Sequence, residues 1–142
     1  VIKVGASSEV ELKEKQDRVE DAMCATKAAI KEGIVPGGGI ALLNAATAVK
    51  ASNENEKVLL EAIKAPYLTI LKNAGLDEVY PKGKGKGIDV VTGKSVGMIK
   101  KGIIDPLLVT KSALKNAASV ATTILSTDCV INNLRVEDES NR

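Results

Sequence analysis

Apolar positions recur along this chain at helical spacing, in long stretches separated by breaks rich in glycine and proline. Ser8 and Glu11 form a capping-box pattern, which predicts that a long helix opens there. Val19, Ala22, Met23, Thr26, Ala29 and Ile30 fall on one face of that helix, and Gly33 predicts its stop. Its early turns, Glu9 to Arg18, are almost wholly charged, so the helix is expected to be wet at one end and dry at the other, as in helices that bridge two domains. A second helix is expected from about Gly39 to Ala51. A third starts near Asn53 and runs to Asn73, with Ala74-Gly75 as its stop. Pro66 should kink or break it, because proline lacks an amide and clashes with the preceding turn.

Beyond these helices, Pro81-Lys82-Gly83-Lys84-Gly85-Lys86-Gly87 reads as a mobile loop, a solvated turn in the first instance and a phosphate-holding one in the second. Ile88–Val91 and Lys94–Ile99 flank Thr92-Gly93 and predict a β-hairpin. Asp105 as N-cap and Pro106 at the first helical position open the last long helix. Its Val109, Ala113, Leu114, Ala117, Val120, Ala121 and Ile124 are mostly small, which allows close approach to other helices. Val1–Val4 and Cys129–Leu134 read as short terminal strands without an obvious partner inside the chain. Open strand edges are normally covered, so their partners are expected from further sequence or another subunit. Arg135–Arg142 reads as a polar, unordered tail. The expected fold is mainly α, a helical bundle with a small β-hairpin and short terminal strands.

Composition narrows the chemistry. The chain has 142 residues, 44% of them hydrophobic, without Phe or Trp and with only Tyr67 and Tyr80 as aromatics. That suits one domain-sized unit whose core is built from Ala, Val, Ile and Leu. Net charge is +2 and 27% of residues are charged, so bulk electrostatics suggests neither a nucleic-acid nor a membrane surface. Stacking platforms for bases need aromatics, which are nearly missing. Histidine is absent, which removes the commonest general base, the usual zinc ligand and the near-neutral pH switch. Cys24 and Cys129 lack metal-type spacing and are expected as buried thiols in a reducing, cytoplasmic-type compartment. No run has the length of a membrane span. The chain begins at Val1 rather than Met, so the lack of a visible targeting signal carries no weight.

Candidate chemistry centres on Gly33-Ile34-Val35-Pro36-Gly37-Gly38-Gly39, followed at once by the apolar run Ile40-Ala41-Leu42-Leu43. Glycines ahead of a helix expose bare amides at the positive end of its dipole, a fit for an anion, and let a nucleotide approach the main chain closely. A flexible interhelical loop explains the same residues. Asp21 lies about 200° around the helix from Val19. It is either a solvated surface acid or a carboxylate held over a nucleotide, orienting water and helping to bind Mg²⁺. Asp105 is either an N-cap or an acceptor for a ribose.

Several of these segments together resemble the group I chaperonins, the GroEL family. They are Val1-Ile2-Lys3-Val4-Gly5-Ala6, Asp17-Arg18-Val19-Glu20-Asp21-Ala22, Glu32 through Gly39, Gly102-Ile103-Ile104-Asp105-Pro106 and Lys111-Ser112-Ala113-Leu114-Lys115-Asn116-Ala117-Ala118-Ser119-Val120-Ala121. The likeness covers nearly the whole chain in order. It implies that residues 1–32 are the returning segment of an intermediate domain, and that residues 33–142 are the C-terminal half of an equatorial, ATP-binding domain. The apical domain and the half with the phosphate loop are missing. By this resemblance Asp21 is the catalytic aspartate that serves ATP hydrolysis, Gly37 and Gly38 contact the nucleotide, and Ile103 and Asp105 lie beside adenine and ribose. ATP and Mg²⁺ are the implied cofactors. The implied partners are other subunits of a homo-oligomeric ring, with a co-chaperonin and unfolded clients engaged through the missing regions. An organelle matrix is the implied compartment for a eukaryotic source.

Three departures stand out. Gly87-Ile88-Asp89-Val90 replaces the family's Gly-Tyr-Asn-Ala, which makes Asp89 a nucleotide-binding candidate of this chain's own. The stretch from Lys50 to Gly87 is shorter than in typical members, and a charged tail replaces the Gly-Gly-Met repeats. A competing reading, independent of the resemblance, is a non-catalytic helical module whose open strand ends and Ala-rich helix mediate oligomerisation.

Overall fold

The computed structural model describes residues 1–132. Helix α1 (Glu9–Glu32) opens as the capping box predicts: the Glu11 amide donates to Ser8 Oγ at 3.3 Å and the Ser7 amide to Glu11 Oε2 at 3.0 Å. Gly33, at φ 84°, ends it. Strand β1 (Ile34–Pro36) and the triglycine turn lead into α2 (Ile40–Ala48). The expected third helix is two, α3 (Glu54–Ala62) and α4 (Ala65–Asn73), with Pro66 in the first turn of α4, where a missing amide costs nothing. Asn53 caps α3 through a 2.8 Å bond from the Glu56 amide. Hairpin strands β2 (Lys86–Asp89) and β3 (Lys94–Gly97) pair antiparallel, and a short α5 (Met98–Lys101) follows where the second strand was expected to continue.

Two expectations fail at the last long helix. Asp105 does not cap it; it lies in β4 (Ile104–Pro106), opposite Val35 in an antiparallel pair with β1. Pro106 is the cap residue and α6 spans Leu107–Leu125. A residue before proline is driven to extended backbone, and here β1 supplies the strand partner that holds Asp105 there. Val1–Val4 and Cys129–Asn132 form no strand. The rest of the second expected strand, and the tail to Arg142, lie outside the described residues. Both cysteines are exposed, not buried.

The core is small. Ile40, Leu43, Tyr67, Leu71 and Met98 cluster, with Leu68, Leu76, Ile88, Val96 and Ile103 packed against them. It therefore sits where α2, α4, the hairpin and α5 converge. Neither α1 nor α6 buries any residue, and the expected inward face of α1 stays open, with Met23 42% and Ile30 80% exposed. The base of α1 meets α6, tied by Lys111 Nζ to Glu32 at 2.6 Å.

Candidate functional site

The triglycine turn is fixed by what touches it. A Cβ on Gly37 would stand 3.1 Å from the backbone of Ile103 and Ile104, and one on Gly39 2.8 Å from the Tyr67 amide nitrogen. Gly38 (φ 65°) and Gly39 (φ 76°) also take left-handed backbone, so glycine is required there on two counts. The Gly37 amide donates to the Ile103 carbonyl at 2.9 Å. It is therefore not the bare amide that the sequence suggested. The glycines serve close packing of the α2 start against β4 and α4, and Gly38 is the one of the three that lines the neighbouring cleft.

That cleft has a volume of about 480 Å³, within the range of small-molecule sites. Gly38, Asp89 and Ile103, drawn from three distant stretches, share its wall. Asp89 is 6% exposed, and its Oδ1 accepts from the Val91 amide at 3.1 Å while its carbonyl accepts from the Thr92 and Gly93 amides. Its local role is thus to close the hairpin turn. No buried side-chain polar atom lacks a partner among the described residues, so Oδ2, which has none, keeps its residual exposure. Asp105 is half-buried and outside the cleft wall, two residues beyond Ile103 and hence on the same side of the extended chain.

Asp21 is not brought to this place. It is exposed on α1, makes no ion pair among the described residues, and stands about 18 Å up the helix from Gly33 at ~1.5 Å per residue. No group of three or more His, Cys, Asp or Glu side chains able to hold a metal occurs among the described residues. A single carboxylate still suits Mg²⁺ when a triphosphate supplies other oxygens.

Sequence reasoning missed the rest of the wall. Tyr67, Leu71 and Met98 support it from the core, and Lys101 contributes a cation. Tyr67 was one of two aromatics in an aliphatic chain, a signal available without coordinates. Its hydroxyl donates to the Val79 carbonyl at 2.6 Å, and burial raises its pKa from the ordinary 10.0.

Comparisons with known proteins bear on the family. The family model of the TCP-1/cpn60 chaperonin family matches residues 1–135. The chain is 45% identical to the Chaperonin homolog Hsp-60, mitochondrial, of Caenorhabditis elegans over 152 residues, which cover 97% of this chain and 27% of that protein. That span exceeds the 142 residues here, so the relative carries residues without a counterpart in this chain. The crystal structure of a group III chaperonin in the open state superposes with a TM-score of 0.72 at 28% identity, over 90% of this chain and 30% of the other. The chain thus spans under a third of the proteins it matches. With a family model over most of its length and a close relative covering nearly all of it, the chain belongs to the TCP-1/cpn60 chaperonin family.

Proposed function

We propose that this chain is the C-terminal portion of an ATP-driven chaperonin subunit, with residues 1–32 in the intermediate domain and 33–142 completing the equatorial, nucleotide-binding domain. The observation that carries the reading is the cleft. Gly38, Asp89 and Ile103 are far apart in sequence yet line one cavity of nucleotide-compatible size, with the Gly37 amide bonded to the Ile103 carbonyl and Asp105 two residues further along the chain. In this reading Gly38 and Ile103 face the base and sugar, Asp89 accepts a hydrogen bond from the ligand, and Asp105 serves the ribose. Gly37, its amide occupied, sets the position of its neighbours.

Asp21 is the proposed hydrolytic residue. Rotation of α1 about Gly33 carries it toward a nucleotide whose phosphates are held by the missing half, where it orients water and binds Mg²⁺. Ring neighbours of the same kind are the proposed partners, with a co-chaperonin and unfolded clients bound through regions beyond this chain. One relative is named as mitochondrial, so an organelle matrix joins the cytoplasm as a proposed compartment.

Three measurements test this. ATP at a hundredfold excess over its Kd stabilises the folded chain by about 2.7 kcal/mol if the cleft binds it. Indifference to nucleotide, with concentration-dependent oligomers, supports the non-catalytic module instead, a reading the open faces of α1 and α6 favour. In the full-length parent, Asp21→Asn lowers hydrolysis by about 10²-fold or more and leaves ATP binding intact. The 142-residue chain alone turns over ATP negligibly, and turnover at the rate of an intact chaperonin sinks the proposal.

A further inference from the structure

Asp89 is the one charged side chain that is buried among the described residues, and it stands on the wall of the cleft. It ends β2 on the same strand face as Gly87, where a Cβ would meet Ile40 and Met98, so the strand turns it inward. No ion pair holds it there: the salt bridges among the described residues all lie elsewhere, and Lys101, on the same wall, is exposed and joins none of them. The Val91 amide donates to Oδ1 at 3.1 Å, whereas Oδ2 has no partner among the described residues and keeps its small exposure. A nearly buried carboxylate oxygen without a donor is costly, and a donor on a ligand in the cleft recovers that cost.

The rest of the wall narrows what that donor belongs to. Ile70, Leu71, Ile88, Met98 and Ile103 are apolar and suit the faces of a planar base, not its polar edge. The Tyr67 hydroxyl is committed to the Val79 carbonyl, and Thr92 and Lys101 are exposed, so Asp89 is the inward polar group left to read a base edge. A carboxylate oxygen accepts and does not donate. At C6 a purine carries either an amine, which donates, or a carbonyl, which accepts. We infer that Asp89 sets base specificity: Oδ2 takes the exocyclic amine of a 6-aminopurine and turns away 6-oxopurines, whose carbonyl would face another acceptor. The inference rests on the nucleotide reading of the cleft, and it adds which base the cleft takes and which atom decides.

The test compares ATP, purine riboside triphosphate, which lacks any group at C6, and inosine triphosphate, which has a carbonyl there. All three carry the same phosphates and ribose, so differences in apparent Kd report the base. Each Kd is read from the rise of the unfolding midpoint of the 142-residue chain with nucleotide concentration. ATP binds about 10- to 100-fold more tightly than purine riboside triphosphate, and inosine triphosphate is rejected at least as strongly. In Asp89→Asn the amide carbonyl must stay on the Val91 amide, which puts the NH₂ in the place of Oδ2. That group donates to a ring nitrogen or to a 6-carbonyl, so the variant binds the three nucleotides within about threefold of one another. A readout on the unaltered chain guards against a variant that misfolds: the Val91 amide proton, bonded to the same carboxylate, shifts in NMR spectra on adding ATP and shifts less with purine riboside triphosphate. If no nucleotide raises the midpoint, the nucleotide reading of the cleft fails and this inference with it. If all three bind the unaltered chain equally, if inosine triphosphate binds better than ATP, if Asp89→Asn keeps the full preference, or if the Val91 signal ignores bound ATP, the nucleotide reading stands and the inference is overturned.

Discussion

Gly87 shows how closely single residues are specified here. A Cβ at this position would stand 2.7 Å from both Ile40 Cγ1 and Met98 Sδ, two of the best-buried side chains. Gly87→Ala is therefore expected to cost about 1–3 kcal/mol by overpacking, read from denaturant midpoints at constant m-value. Tyr67 carries a second prediction. Burial raises its pKa, so the folded chain holds the phenol proton more tightly than the unfolded chain does. Its contribution is present in full below pH ~10 and is lost as pH rises above that value. In Tyr67→Phe this residue's share of the alkaline dependence disappears, and stability near neutrality falls by about 0.5–1.5 kcal/mol with the loss of the bond to the Val79 carbonyl. A pH series of thermal unfolding checks both. Chemistry at this scale was partly legible: the triglycine turn announced itself in sequence, but its purpose did not, since packing against Ile103 and Tyr67 joins residues far apart in the chain.

At the scale of elements, local signals succeeded where local forces decide. Ser8 and Asn53 caps and the Gly33 stop depend on neighbours a few residues away, whereas the hairpin's first strand ends at Asp89, two residues before the expected Val91, and residues 90–93 form the connection. Asp105-Pro106 had an equally good local explanation and took another course, because β1 offered it a strand partner some seventy residues earlier. The cleft was illegible for the same reason, being assembled from the triglycine turn, α4, the hairpin and α5. Helix α1 makes a further prediction. Packed against α6 only near its base, and without a buried residue, it should exchange its amides fast from Glu9 to about Met23 and slowly only near Ala28 and Ala29, which are half-buried. Uniform protection along α1 would show a partner for its open face.

For the whole molecule the decisive quantity is area. A compact monomer of 14.8 kDa exposes about 7,000 Å², yet this chain exposes 11681 Å². Setting aside about 1,700 Å² as an upper bound for the ten residues outside the described range leaves most of that excess. The remaining excess is surface built to be covered, and it includes Ile30, Val109, Val120, Ile124 and Leu125. Sedimentation of the isolated chain should therefore show association that strengthens with concentration, and co-expression with the remainder of the parent should suppress it. The same openness gives the Gly33 junction its significance. The β1–β4 pair lies on one side of it, with the Leu107 amide bonded to the Gly33 carbonyl at 3.0 Å, while α1 extends on the other, flanked along its middle turns by the segment of residues 1–5. Such a lever arm amplifies: a swing of ~20° at that glycine displaces the acid ~18 Å along the shaft by about 6 Å. A barely visible adjustment at one fulcrum can then become a full stroke at the far end.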